Sequence, residues 1–331
     1  MAVTLAQVSK LETDPLKKGV IQNILRASKL MELVPFENVS SLQSIAVRWT
    51  SLPDVAFRRI NSGYTQSEGD VEQVYESVYA FGGEMEIDRV FDKIKSSMIK
   101  DPRQLNIEMK TMAMALAFAN YFINGDHATD ADGFEGLKKR IANMPSRQSV
   151  RAGSTTDVLD PTASAANARR YVDKWEEAYY RANGGDVQAI ISNELIQWGL
   201  GRVMRYAGIS GGSLLDTSKD QFDREILSYK GSPIIDAGLK GDLATEIVPV
   251  NETAEDAGAD ATSAYFVPFN MEQGIQGIQL SDMEVYDPLA GGERESKPTK
   301  LIRLEWWVGL SGWGSHGPTR LHNIETPASW T

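Results

Sequence analysis

The sequence lacks cysteine altogether and has only three histidines among its 331 residues. Without cysteine there are no disulfides, no thiolate metal ligands and no cysteine nucleophiles. No stretch reaches the 18 or more apolar residues typical of a membrane span, and the N-terminus has no apolar segment of signal-peptide length. We therefore expect a protein made in a cytoplasm, with no membrane partner.

Basic residues are scarce as well. The chain has 34 Lys and Arg against 45 Asp and Glu, which gives a formal net charge of −11. Dedicated binders of duplex DNA or anionic lipid usually carry a basic surplus or stripe, because they neutralise phosphates. The composition argues against both of these classes.

Catalytic patterns are also missing. The histidines, His127, His316 and His322, show no metal-ligand spacing, and the glycine-rich run at 208–213 lacks the lysine of a phosphate loop. We predict no catalytic residue, no cofactor and no metal site. The protein is expected not to be an enzyme.

The stretch from Asp101 to Asp126 is the clearest structural signal that is present. Asp101 and Pro102 are typical of a helix start, and Asn124-Gly125 is typical of a helix end. Between them, apolar residues recur every three or four positions and predict one buried stripe. The predicted core residues of this helix are Leu105, Met109, Met112, Leu116 and Ile123.

The segments before this helix have too little apolar sequence to fold alone. Residues 1–36 carry a short amphipathic stripe, in which we expect Leu16, Val20 and Ile24 to contact another subunit. Residues 40–86 read as strand, polar excursion, strand. Within the excursion we expect Arg58, Arg59 and Glu68 to form inter-subunit contacts, with the arginines pairing with carboxylates of a neighbour.

Beyond residue 222 the pattern is β, with short strands separated by Gly, Pro and Asp turns. Residues 298–310 are expected to pair with 276–287 and to lie beside the long helix. The fold class predicted from the whole pattern is α+β.

The order of these features resembles the major capsid protein family of tailed bacteriophages, which has the Hong Kong 97-type fold. That resemblance implies an N-terminal arm, an extended E-loop, a peripheral domain with a long spine helix, and an axial domain. Its pieces lie at residues 14–39 (arm), 48–91 (E-loop and its return), 107–126 (spine helix), 183–208 and 229–238 (axial domain) and 299–321 (closing strand). The implied boundaries are 1–36 for the arm, 37–85 for the E-loop, 86–145 for the peripheral domain completed by about 264–312, and 146–263 for the axial domain with about 313–331.

The resemblance implies a structural protein that self-assembles as hexamers and pentamers into an icosahedral phage head around double-stranded DNA, without sequence-specific DNA contacts. An acidic wall suits that role, because it does not grip the packaged phosphates. Assembly in the host bacterial cytoplasm and a final location in the virion follow. The expected partners are the chain itself, a separate scaffolding protein, a portal and, as a further candidate, a decoration protein.

Some family members cross-link neighbours through a lysine and an asparagine. The segment from Ser51 to Asp70 contains no lysine, so we do not expect this chain to do so. Two alternatives stay open. An encapsulin-type compartment shell would share the fold, and a cytoplasmic enzyme would need a pocket with convergent polar groups.

Overall fold

A computed structural model describes residues 3–88, 90, 102–152, 165–208, 215–219, 223, 225–253, 260–270, 274–286, 288, 297–312, 314 and 317–326. The helices of this part are α1 (Leu5–Leu11), α2 (Pro15–Ala27), α3 (Lys29–Leu33), α4 (Pro102–Asn124), α5 (Leu137–Ala142), α6 (Ala165–Arg181) and α7 (Glu194–Ala207). None of these helices is long and apolar enough to span a bilayer.

The strands of the described residues alternate with these helices, so helix and sheet are mixed along the chain. They are β1 (Val3–Thr4), β2 (Pro35–Asn38), β3 (Gln43–Ser51), β4 (Asp70–Ser77), β5 (Tyr79–Asp88), β6 (Ser149–Arg151), β7 (Ala189–Ser192), β8 (Leu215–Lys219), β9 (Glu225–Tyr229), β10 (Ser232–Asp236), β11 (Glu252–Thr253), β12 (Asp260–Val267), β13 (Gln276–Gln279), β14 (Glu284–Tyr286), β15 (Thr299–Ser311) and β16 (Thr319–Glu325).

One hydrophobic core lies between helix α4 and a six-stranded sheet. The sheet has the order β1-β2-β13-β15-β14, and β5 pairs with β15 over ten residues. Phe118 of α4 meets Trp306 of β15 with ring centroids 5.4 Å apart, and Trp306 meets Phe36 of β2 at 4.9 Å. The buried indole N–H of Trp306 donates to Gln279 Oε1 at 3.0 Å, which satisfies the one polar group of the ring.

Strand β15 pairs with both β13 and β14, so the predicted pairing of 298–310 with 276–287 is confirmed. The predicted end of helix α4 is confirmed as well. Gly125 follows its last residue, and a Cβ there would lie 2.4 Å from the carbonyl oxygen of Phe134. Only glycine allows the returning chain to approach so closely.

The face of α4 that enters the core differs from the predicted stripe. Leu116 and Ile123 are buried, but Leu105, Met109 and Met112 are exposed, with Met109 at 53%. The residues that face the core in that half of the helix are Ile107, Thr111 and Met114. The prediction failed because α4 is apolar on more than one side, so its sequence fits two stripes.

The described part of the N-terminal segment, residues 3–36, contributes to this core, which corrects the expectation that its apolar stripe contacts another subunit. Val20 and Ile24 of α2 are 2% and 1% exposed and pack in the core that surrounds α4. They are therefore not free to contact another subunit, while the side chain of Leu16 lies outside the described residues. Strand β2 pairs in parallel with β13 and fastens the segment to the sheet.

A second core lies between helices α6 and α7 and another sheet. Its strands have the order β6-β16-β12-β7-β10-β9-β8, and β11 adds to β12. Trp175 of α6 is fully buried, 4.9 Å from the ring of Phe266 on β12. Asn193 caps the start of helix α7, and its side-chain oxygen accepts the Ile196 N–H at 3.0 Å.

Two implied boundaries shift in the structure. Strand β12 pairs only within the second sheet, so the first strand of the first sheet in this part of the chain is β13, which begins at Gln276 and not near 264. Strands β2 and β5 belong to the first sheet, so the excursion out of the body comprises only β3, β4 and the segment between them. Residues 91–101, which belong to the implied peripheral domain, lie outside the described residues.

Candidate assembly surface

Strands β3 and β4 form a two-stranded ribbon that joins neither large sheet. They pair antiparallel from Gln43 opposite Ser77 to Ser51 opposite Asp70. An isolated hairpin is marginally stable in water at best, so such a ribbon normally depends on contacts made by its faces.

The ribbon has one inner and one outer face. On the inner face Ala46 is buried opposite the half-buried Val74. On the outer face Ile45 lies opposite Tyr75 and Trp49 lies opposite Val71, with Val47 between them. All five outer side chains are largely exposed, and Trp49 is 73% exposed. A contiguous apolar patch of this kind is typical of a protein–protein contact.

Residues 52–69 join the two strands, and every one of them is exposed. The segment is held by its own hydrogen bonds, including Ser62 N–H to the Arg59 carbonyl at 3.1 Å and Ser67 Oγ to the Asp54 carbonyl at 3.0 Å. Its large apolar side chains have no cover within the subunit; they are Leu52, Val55, Phe57, Ile60 and Tyr64.

The three residues predicted to make contacts in this segment, Arg58, Arg59 and Glu68, are exposed. Arg58 lies over the Tyr64 ring at 5.2 Å and donates to the Ser62 carbonyl at 3.2 Å. Part of its donor capacity is thus used inside the segment. Their role between subunits stays a prediction.

The sequence reasoning missed the apolar character of this segment. The run from Leu52 to Ile60 mixes apolar residues with Pro, Asp and Arg, and its charges draw attention away from its apolar content. A tally of large apolar side chains would have found the signal. Their exposure, however, depends on the absence of a cover, and that is visible only in the fold.

A buried ion pair at the base of the ribbon was also missed. Arg140 of α5 and Glu76 of β4 form two parallel hydrogen bonds, of 2.5 and 2.8 Å. The two residues are 64 positions apart in the sequence, and no local pattern links them. Beside the pair lies a cleft of about 440 Å³, lined in part by Arg48, Tyr79 and His127.

Among the described residues, no group of three or more His, Asp and Glu side chains is arranged to hold a metal ion.

Comparisons with known proteins bear on this arrangement. The sequence matches the family model described as major capsid protein GP7 over residues 20–179, just under half of the chain. That range contains the second half of α2, the ribbon, β5 and the long helix α4. The search of curated proteins finds no match.

Solved structures with a similar fold cover nearly the whole chain. The encapsulin SrpI complex from Synechococcus elongatus PCC 7942 has a TM-score of 0.59 at 13% identity, covering 90% of this chain and 87% of that one. The capsid of a native GTA particle has a TM-score of 0.56 at 15% identity, with 91% and 89% covered. Mycobacterium phage Ogopogo gives 0.56 at 12% identity, with 90% and 91% covered.

The chain has the Hong Kong 97-type fold that these solved structures share. The match to the GP7 model confirms the resemblance to the major capsid proteins of tailed bacteriophages.

Proposed function

We propose that the chain is the major capsid subunit of a tailed phage, which self-assembles as hexamers and pentamers into an icosahedral head enclosing double-stranded DNA. The observation that carries this proposal is the family match over residues 20–179, which contains the ribbon and α4. The role is structural and not catalytic. Assembly takes place in the host cytoplasm, and the product is part of the virion.

The exposed ribbon supports self-association. Its outer face and residues 52–69 together leave about ten large apolar side chains uncovered. Burial of apolar surface contributes roughly 25 cal/mol per Å², so leaving this surface in water forgoes several kcal/mol. A neighbouring copy of the same chain can supply the cover at every position of a shell.

The charge of the chain supports a container for DNA. With a net charge of −11, the subunit has no general attraction for phosphates, and packaged DNA can be held without tight contacts to the wall. The resemblance adds a scaffolding protein, a portal and a decoration protein as candidate partners.

An encapsulin-type compartment is the second candidate, because the SrpI encapsulin shares the fold over 90% of this chain. Fold alone does not separate the two functions. The match to a phage capsid family model is the reason to prefer the first.

Electron microscopy of the purified chain tests the proposal. We expect uniform polyhedral shells; a small discrete oligomer would contradict both candidates and favour an enzyme. Phage genome packaged in particles from infected cells supports the capsid, whereas a co-purifying enzyme inside the shells supports the encapsulin.

Variants of the exposed segment locate the contact. Phe57→Ser with Ile60→Ser removes two fully exposed apolar side chains, so the melting curve should not change while shell yield falls sharply. Arg58→Glu with Arg59→Glu tests the charged contact in the same way, at low and moderate salt. Gln66→Ala, another exposed position, is the matched control. Normal assembly by both double variants would exclude residues 52–69 from the interface.

A further inference from the structure

The guanidinium group of Arg140 joins three parts of the chain that are distant in sequence. Nη1 and Nη2 donate to the two carboxylate oxygens of Glu76. Nη2 also donates to the carbonyl of Leu310 at 3.1 Å, and Nε donates to the carbonyl of Glu135 at 2.8 Å. The ribbon, the end of β15 and the loop before α5 thus meet at one side chain.

Both charged groups are largely withdrawn from water. The side chains of Arg140 and Glu76 are 9% and 12% exposed. A bidentate arginine–carboxylate pair fixes both distance and plane, unlike a single contact between point charges. Buried pairs of this type contribute little net stability, because desolvation offsets the attraction, but they can specify one arrangement.

The pair lies where the ribbon leaves the body. Ser77, next to Glu76, ends β4, and β5 of the large sheet begins two residues later. The Ser77 carbonyl oxygen lies 2.4 Å from the position that a Cβ on Gly309 would take, so the ribbon base packs directly on β15. The 440 Å³ cleft under the inner face leaves room for the ribbon to tilt about this base.

A second ion pair on the ribbon provides a comparison. Arg48 and Glu72 are 2.6 Å apart, but they belong to β3 and β4 and are 33% and 55% exposed. This pair links the two strands to each other and not to the body. It stiffens the ribbon without setting its direction.

We propose that Arg140 is a positioning residue, which fixes through Glu76 the angle at which the β3–β4 ribbon leaves the subunit body. The consequence for assembly rests on the proposed function: a ribbon held at one angle presents residues 52–69 to the same place on every neighbouring copy.

The absence of native cysteine makes the angle measurable in the full-length chain. Spin labels on Thr50→Cys, at the exposed end of the ribbon, and on Thr129→Cys, in the body, report the distance between ribbon and body. We expect a narrow distribution for the parent. In Glu76→Gln and Arg140→Lys, which weaken or remove the bidentate pair, its width should at least double.

Arg48→Gln is the matched control and should leave the distribution narrow, because it removes an ion pair that does not reach the body. Melting curves identify variants that have lost the folded subunit. An unchanged width in both Glu76→Gln and Arg140→Lys would overturn the proposal. Loss of the folded subunit in both would overturn it too, by assigning the pair to stability.

Assembly supplies the second readout. Glu76→Gln should form shells of mixed size or broken outline where the parent forms uniform ones, and the Arg48→Gln shells should match the parent. If the parent forms no shells, the proposed function fails, while the label distances still decide the role of Arg140. If Glu76→Gln broadens the distance distribution but still forms uniform shells, the angle of the ribbon does not control assembly.

Discussion

Two aspartates six residues apart show how local contacts set the sign of a charge effect. Asp236, at the end of β10, is half-buried, and burial, reinforced by the nearby Glu194, raises its pKa despite a hydrogen bond from the Gly238 N–H. Asp242 is exposed, and hydrogen bonds from the Thr245 hydroxyl and N–H and from the Ala244 N–H lower its pKa to about 2.

These shifts predict opposite effects of the same substitution. A raised pKa means that the ionised group is unfavourable in the fold, so its contribution to stability is present below the unfolded pKa and is lost as pH rises. Asp236→Asn should therefore increase the free energy of unfolding at pH 7, and this gain should vanish near pH 3. Asn can keep the hydrogen bond from Gly238.

Asp242→Asn should do the reverse. A lowered pKa gives stability that is present above the unfolded value, near 3.8, and is lost as pH falls toward 2. The variant should be less stable than the parent at pH 7 and equal to it near pH 2. Urea unfolding across pH 2–7 measures both curves, and parallel curves for the two variants would show that the assigned environments are wrong.

At the scale of the element, helix α4 shows what sequence can and cannot predict. Its existence and its end were predictable, because the Asn124-Gly125 signal is local. The buried face of α4 was not predictable, because Leu105, Met109 and Met112 have the same helical spacing as the buried Ile107, Thr111 and Met114. Which stripe is covered depends on α2, which packs against α4.

The corrected face gives a direct test in matched residues of α4. Leu116 is 6% exposed, so Leu116→Ala should lower the free energy of unfolding by about 2–5 kcal/mol through the cavity it leaves. Met109 is 53% exposed, and Met109→Ala should change the value by less than about 0.5 kcal/mol. Urea unfolding of the unassembled subunit measures both changes. Equal losses of free energy of unfolding for the two variants would mean that Met109 is buried, as the sequence pattern predicts.

The ribbon shows the complementary limit. The alternation of Ile45, Val47 and Trp49 with polar residues correctly predicts a strand. The same alternation also suggests that these side chains are buried, whereas in the single subunit they are exposed. If the proposed shell forms, the sequence pattern already describes the assembled state, in which a neighbour covers this face.

At the scale of the whole molecule, one buried carboxylate lies where the first core meets the second sheet. Glu252 of β11 accepts from Lys138 of α5 at 2.8 Å, and from Arg320 of β16 at 2.9 Å. The Ser263 hydroxyl of β12 donates to it at 2.5 Å. Lys138 belongs to the helix that packs in the first core, while the other partners belong to the second sheet. The four residues are dispersed over 183 positions of the chain, from 138 to 320, so no local sequence motif predicts the cluster.

The ionised form of Glu252 stabilises the contact between α5 and the second sheet. Burial opposes its charge, but Arg320, Lys138 and Ser263 outweigh burial and hold its pKa below the ordinary value of 4.5. Its contribution to stability is therefore present above that value and is lost as pH falls through the lower pKa of the folded chain.

Glu252→Gln should weaken the link between the cores at neutral pH. Hydrogen bonds to charged groups contribute about 1.5–3 kcal/mol each, and the substitution leaves Lys138 and Arg320 facing a neutral amide. We expect the free energy of unfolding at pH 7 to fall by a value in that range, and the difference from the parent to shrink below pH 4.

Glu177→Gln is the control. It removes partly exposed ion pairs with Lys174 and Arg181 within one helix, so it should lower the free energy of unfolding by only about 0.5 kcal/mol. If the proposed shell forms, Glu252→Gln should also lower the temperature at which assembled shells open, more than Glu177→Gln does. Equal losses for the two variants would mean that Glu252 is one surface charge among many and that apolar contacts alone hold the cores together.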